Sequence, residues 1–335
     1  MRESVALTIT EPSQTGEARR KAIALATKLG FEEIKRGKVG IVVTEIASNL
    51  IQHTHGGVLL LRALQDDSAV GIEVLSLDKG QGMFDVDECL QDGFSTAGTL
   101  GNGLGAIRRL SDVFEIYSIP NQGTALLARL WSYSIPQPGE NTLEIGVVCL
   151  SKLEEDVSGD AWAHRIEGGR SLLLVADGLG HGSAAASAAL EAVRTFQEHY
   201  HYSPAAIVQA AHAALRNTRG AALAIAEIDS EQLCVRFAGI GNIAASIFSF
   251  TEQHHLLSYN GIVGHELRKI QEFSYPWYAN GMLIMHSDGL GSKWRLDRYP
   301  GLAQKHPSLI AGVLYRDFNR ERDDVTVLVA KGISK

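Results

Sequence analysis

Four aspartates in the second half of this 335-residue sequence stand where strand-like apolar runs begin or end. Ser158-Gly159-Asp160 opens one run, and Asp177-Gly178-Leu179-Gly180-His181-Gly182 closes another. His286-Ser287-Asp288-Gly289 closes a third, and Arg322-Asp323-Asp324 precedes the last. Asp and Gly are the usual turn formers, so any one of these pairs taken alone reads as a turn. Carboxylates gathered at the ends of several buried strands, however, repel one another without cations between them. Hard oxygen ligands of this kind suit Mg²⁺ or Mn²⁺. Two such ions activate a water and neutralise a phosphoryl group in one site. His181 beside them could protonate a leaving alkoxide or simply cap the helix that follows, and the residues alone leave both readings open.

The first half carries a second set. Val39, Val42, Val43, Ile46 and Leu50 recur at helical spacing and mark a buried face. On that helix Glu45 and Asn49 fall beside the stripe and His53 nearly in its middle. An acid and an amide at the edge of a core are costly unless they hydrogen-bond, as a capping cluster, or hold a metal. Asp78-Lys79-Gly80-Gln81-Gly82 follows the apolar run 70–77. A carboxylate there can accept from an exocyclic amine, and the glycines let a ligand approach the backbone. From Gly93 to Gly105 come five glycines in thirteen residues, Gly101, Gly103 and Gly105 among them, running into a helix. Exposed amides at a helix N-terminus cradle anions, here a triphosphate. A Gly-rich loop by itself would read as a flexible loop; the ordered trio is more specific.

Strands and helices must position these groups. The pattern predicts a strand at 3–10, helices at 15–29 and 33–54, strands at 58–65 and 70–77, a helix at 103–111 and a hairpin at 113–131. Two prolines and a glycine in the stretch 131–140 read as a linker. Beyond it the pattern predicts strands at 142–150 and 170–176, two helices within 182–216, and strands at 220–228, 232–249, 281–286 and 324–330. A last helix is expected at 307–318. The mixture is not strictly alternating, so both halves read as α+β.

Residues 1–133 resemble the GHKL ATPase family, and within it the anti-sigma-factor serine kinases of the RsbT type. Glu45 and Asn49 match the family's N box, and Asp78, Gly80 and Gly82 its adenine-recognition box. Gly101, Gly103 and Gly105 match its lid, and Gly123-Thr124 its last turn. The resemblance implies a Bergerat α/β sandwich that binds ATP, with Asn49 holding Mg²⁺ on the phosphates and Glu45 as general base toward a Ser or Thr on another protein. No helix with a phosphoacceptor His precedes this stretch, so it does not resemble a histidine kinase. Residues 142–335 resemble the PPM family of metal-dependent Ser/Thr phosphatases, in its bacterial SpoIIE and RsbX branch. The stretch from Glu154 to Trp162 is close to the branch's first motif, and Asp177-Gly178, Asp288-Gly289 and Asp323-Asp324-Val325-Thr326 match later ones. That resemblance implies a β-sandwich flanked by helices and two Mn²⁺ or Mg²⁺ ions. Asp177 would bridge the ions and Gly178 would offer its carbonyl. Asp160, Asp288 and Asp323 would complete the set, with Asp323 preferred over Asp324. No basic residue matches the phosphate-gripping Arg of eukaryotic relatives.

Composition narrows the classes further. Apolar residues make up 45% and charged residues 21%, the mix of a folded globular chain. A net charge of −7 disfavours nucleic acid as a partner. Cys89, Cys149 and Cys234 show no paired spacing and read as reduced thiols. The start Met-Arg-Glu-Ser carries no apolar run, and no stretch approaches the roughly 18 apolar residues that span a bilayer. The expected compartment is the cytoplasm, without a membrane. Together the resemblances imply a bifunctional partner-switching regulator, 1–133 and 142–335 joined by a linker at 134–141. It would phosphorylate a STAS-domain protein with ATP and remove such a phosphate again. The alternative is a phosphatase whose first half only binds ATP or an anti-sigma-type partner. GHKL domains often pair, which makes a homodimer an expectation of the resemblance alone.

Overall fold

The computed structural model describes residues 4–54, 56–66, 69–91, 103–133, 143–153, 155–249 and 252–332. The chain divides into two compact units. One is Glu3–Gln137 with Leu296–Arg316, and the other is Pro138–Arg295 with Asp317–Lys335.

The first unit opens with β1 (Val5–Ile9), α1 (Pro12–Lys28) and α2 (Glu33–His53). Pro12 suits the first helical position of α1, and Gln14 Oε1 accepts from the Glu11 backbone N–H at 3.0 Å. Then follow β2 (Gly57–Asp66), β3 (Ala69–Asp78), α3 (Val86–Cys89), α4 (Gly103–Leu110), β4 (Val113–Ile119) and β5 (Gly123–Trp131). The strands form one antiparallel sheet in the order β1-β2-β3-β5-β4. The helical stripe of α2 is buried as its spacing predicts. It meets Ala18, Ala22 and Ala26 of α1 and Ile72 and Val74 of β3 in one core. His53 departs from that expectation: it is the last residue of α2 and is exposed, because the stripe runs past the end of the packed surface.

The second unit contains β6 (Leu143–Leu150), β7 (Asp160–Glu167), β8 (Arg170–Gly178), α5 (Ser183–His199), α6 (Pro204–Ala214), β9 (Ala221–Asp229), β10 (Cys234–Ile240) and β11 (Ala244–Phe248). It continues with β12 (Gln253–His255), β13 (Ser258–Tyr259), β14 (Phe273–Pro276), β15 (Met282–His286) and, after helix α7 (Pro307–Phe318), β16 (Val325–Gly332). One sheet runs β13-β10-β9-β8-β7, with β14 also on β10; the other runs β12-β11-β15-β16-β6. Trp162, Leu173 and Phe237 from the first sheet share a core with Val147, Leu283 and Leu328 from the second, so the sheets pack as a sandwich. The outer face of the first sheet meets Ala189 and Phe196 of α5 and Val208 of α6. The apolar run 232–249, expected as a single strand, is two strands. It breaks at Gly241-Asn242-Ile243, and β11 joins the opposite sheet.

A second correction concerns the domain limits. The sequence placed everything after 142 in the second domain, yet Leu296–Arg316, with most of α7, groups with the first unit. The reason lies in the strands. Ile72 and Val74 face the core under α1 and α2, while the alternate residues Glu73, Leu75 and Leu77 are also buried. A sheet apolar on both faces needs a second covering layer, and α7 supplies it. A Cβ at Gly312 would lie 2.6 Å from Leu75 Cδ2, so this helix and β3 approach as closely as a glycine allows. Among the described residues no helix is long and apolar enough to cross a membrane.

Candidate functional site

In the first unit, α2 holds Glu45 and Asn49 half-buried, one helical turn apart beside its packed stripe. The start of α4 comes down directly on them. A Cβ at Gly103 would lie 3.0 Å from Glu45 Oε2 and 3.3 Å from Asn49 Oδ1, so only glycine leaves that space to a ligand. Asn49 Nδ2 is buried and meets no hydrogen-bond partner among the described residues. An unsatisfied amide donor under a helix N-terminus is costly for a protein alone. It fits a bound phosphate with its Mg²⁺.

Asp78 forms a neighbouring group at the end of β3. Its Oδ1 accepts from the backbone N–H of Gly80 at 2.8 Å and of Thr124 at 3.2 Å, and Thr124 Oγ1 is 2.9 Å from Ser118 Oγ. Burial raises the Asp78 pKa above the ordinary value, and those two amides with Arg316 oppose the rise. Both of these amides go to Oδ1, so Oδ2 is the oxygen that could accept from an exocyclic amine. Gly123 is left-handed (φ +84°), and a Cβ there would come within 2.0 Å of the Asp78 carbonyl oxygen. Gly82 (φ +64°) turns the chain against Ile119. Gly105 is buried within α4, and Gly101 lies outside the described residues.

In the second unit the sheet register brings the aspartates together. Asp160 at the start of β7 faces Asp177 near the end of β8, and Gly178 faces Ala221 on β9. Burial raises Asp160 to about 7, with Asp324 and Asp323 adding repulsion against the hydrogen bond from Ser287. Asp177 rises to about 8, through burial first and then the charges of Asp160, Asp288, Asp323 and Asp324. Asp160 Oδ2 accepts from Ser287 Oγ at 2.6 Å, but its Oδ1 is buried without a partner among the described residues. Among the described residues no three His, Cys, Asp or Glu side chains converge tightly enough to hold an ion as they stand. Like charges keep apart until a cation lies between them. The orphaned oxygen and the all-oxygen donor set fit Mg²⁺ or Mn²⁺.

Asp323 and Asp324 differ in kind. Asp323 is exposed, whereas Asp324 is buried, and its Oδ1 accepts from the Lys152 N–H at 2.8 Å. Asp324 thereby ties down the loop leading to Asp160, but its buried Oδ2 has no partner among the described residues, so both aspartates remain candidate ligands. Two polar residues missed in the sequence also belong here. Asn242 Nδ2 donates to Asp288 Oδ2 at 2.8 Å, and its mark was the Gly-Asn break inside an apolar run. Arg219 Nη1 lies 3.0 Å from where a Cβ on Gly180 would sit, a cation beside the Asp177–Gly182 loop. Its sequence mark was its place just before β9, whose register reaches Gly178. His181 caps nothing: the N-cap of α5 is Gly182, without a side-chain bond, and His181 Nδ1 instead stands 2.6 Å from Glu155 Oε1. Trp294 packs, donating to His286 Nε2 at 3.2 Å.

Comparison with known proteins matches both units. Residues 9–130 match the histidine kinase-like ATPase domain family, and residues 167–332 match the family of Stage II sporulation protein E (SpoIIE). The serine/threonine-protein kinase RsbT of Bacillus subtilis is 31% identical over 114 residues, 34% of this chain and 86% of that protein. The phosphoserine phosphatase RsbX of the same organism is 27% identical over 143 residues, 42% of this chain and 71% of that protein. A solved RsbX structure in complex with magnesium shares the fold, with TM-score 0.51 and 21% identity over 58% of this chain and 97% of that one. A structure described as the bacterial stressosome, a modular system adapted to control secondary messenger signaling, gives TM-score 0.53 and 29% identity. It covers 56% of this chain and 99% of that chain.

Proposed function

The chain belongs to the family of the serine/threonine-protein kinase RsbT through its first half and carries a SpoIIE-type PPM phosphatase domain in its second, and we propose that it is a bifunctional partner-switching regulator acting on a STAS-domain protein. One observation carries the reading. Each unit holds a polar cluster with a buried atom that no group among the described residues satisfies, Asn49 Nδ2 in one and Asp160 Oδ1 in the other.

In the kinase direction, Asp78 would accept the adenine amine, and Asn49 with the α4 N-terminus would hold the phosphates and a Mg²⁺ ion. Glu45 takes the proton of a Ser or Thr hydroxyl as its oxygen bonds to the γ-phosphorus and the bond to ADP breaks. In the phosphatase direction, Asp177, the Gly178 carbonyl, Asp160, Asp288 and Asp323 would hold the two ions. The ions, Mn²⁺ or Mg²⁺, supply an activated water and neutralise the phosphoryl oxygens. Ser287 orients Asp160, Asn242 orients Asp288, and Arg219 adds a cation beside the phosphoryl group.

The test is the intact mass of a STAS-domain protein encoded beside this chain's gene. It is incubated with this chain, ATP and Mg²⁺, then freed of ATP and given Mn²⁺. A gain of one phosphate followed by its loss is expected. No gain, with phosphate still removed from a phosphorylated sample, would reduce the first half to an ATP-binding module. Opposed activities in one chain waste ATP unless one is biased over the other, so the two sites must be coupled.

A further inference from the structure

The covering layer of the first sheet touches the nucleotide site. Within the first unit, the segment Leu296–Arg316 is fastened to the sheet at successive points. The His306 N–H donates to Glu115 Oε2 at 2.6 Å, and Ser308 Oγ donates to the buried Glu73 Oε2 at 2.7 Å. Glu73 also binds Arg62 and Arg129, and Arg129 Nη2 reaches Ser308 Oγ at 3.1 Å. One helical turn after the close approach of Gly312 to β3 comes Arg316, whose Nη1 donates to the main-chain carbonyl of Asp78 at 3.1 Å.

That carbonyl belongs to the residue whose carboxylate is the candidate adenine acceptor. Asp78 is therefore held on two sides: its side chain by the amides of Gly80 and Thr124, its main chain by a guanidinium 238 positions later in the chain. A charged donor makes a stronger and more directional bond than a neutral one, so it fixes the peptide that aims the carboxylate. In chain order Arg316 also lies between Asp288 and Asp323, two candidate metal ligands of the other unit.

We propose that Arg316 is a positioning residue of the adenine subsite, so that the second half of the sequence completes the nucleotide site of the first, and nucleotide binding is linked to the stretch between Asp288 and Asp323. This rests on the nucleotide reading above. Linkage is reciprocal: if a seated Arg316 strengthens nucleotide binding, bound nucleotide strengthens the seat of that stretch.

The test uses the full chain and a fluorescent ADP with Mg²⁺. Arg316→Ala is expected to weaken ADP binding by about tenfold or more, the size of one hydrogen bond from a charged donor. Its preference for ADP over GDP should fall as well, while Arg316→Lys recovers part of both. Lys305→Ala, in the same segment, should bind as the native chain does. With Mn²⁺ in excess, saturating ADP should change hydrolysis of p-nitrophenyl phosphate by about fivefold, a low coupling energy, and leave the Arg316→Ala rate unmoved. Native-strength ADP binding by Arg316→Ala would overturn the proposal. So would equal weakening of ADP and GDP in step with a lowered melting temperature, or a native phosphatase rate indifferent to ADP. If Arg316→Ala does not fold, Arg316→Lys carries the same ADP-to-GDP comparison. A native chain that binds no ADP at all would strike down the nucleotide reading itself, a result distinct from any of these.

Discussion

Asp160 and Asp177 occupy facing positions on adjacent antiparallel strands, so folding sets the buried carboxylate of Asp160 opposite the half-buried one of Asp177. Like charges placed directly opposite destabilise a sheet. The sandwich therefore carries a local conflict that protons or divalent ions must resolve.

The sign of the pH effect follows. Both groups rise from an ordinary 3.8, to about 7 and about 8. Between these limits the metal-free folded state keeps protons that the unfolded chain releases, so its stability falls as pH rises. In EDTA the melting temperature should be lower at about pH 8.5 than at about pH 6, and the gain from Mg²⁺ should be larger at the higher pH. Thermal melts at both pH values check this, with Asp177→Asn expected to shrink the difference.

Asp323 and Asp324 should separate by substitution. Asp323→Asn is expected to cost about a hundredfold or more in phosphatase rate, because two-metal charge stabilisation is worth several kcal/mol. Asp324→Asn keeps an acceptor for the Lys152 amide and should retain activity within about tenfold. Hydrolysis of p-nitrophenyl phosphate across an Mn²⁺ titration measures both, and the reverse ranking would exchange the two roles.

Glu45 and Asn49 should divide chemistry from binding. Glu45→Ala is expected to lower phosphotransfer by about 10²–10⁴-fold with ADP affinity kept, as for loss of a general base. Asn49→Ala should weaken Mg²⁺-nucleotide binding itself. Fluorescent-nucleotide titration beside a transfer assay checks the pair.

Glu73 anchors the buried ionic cluster of the first unit. Burial pushes its carboxyl up, but Arg62, Arg129, His306 and the Ser308 hydroxyl outweigh that and hold it well below the usual carboxylate range. Glu73→Ala leaves two guanidinium groups without their counter-ion and should cost about 3–5 kcal/mol. Urea unfolding should register the loss, and melts should show it in full above the ordinary carboxylate range and shrinking steadily as pH falls below that range.

Local chemistry was legible in the chain itself. The stripe of α2, the Asp78 turn and the four aspartates at strand ends lie within a few residues of the elements that carry them, and their spacing already names helix, turn or strand end. The last helix, expected at 307–318, is Pro307–Phe318. Where that helix packs was not legible. The alternation in β3 says that both faces are buried, but hydrophobic burial is non-directional and a pattern of apolar residues does not identify its partner. The same limit hid Arg219, Asn242 and Arg316, whose contacts join positions 39 to 238 apart. It also hid the different burial of Asp323 and Asp324, neighbours in sequence that alternate across a strand start. Residue types and short-range periodicity determined which groups could do chemistry; sheet register and packing across long stretches of chain decided which of them meet.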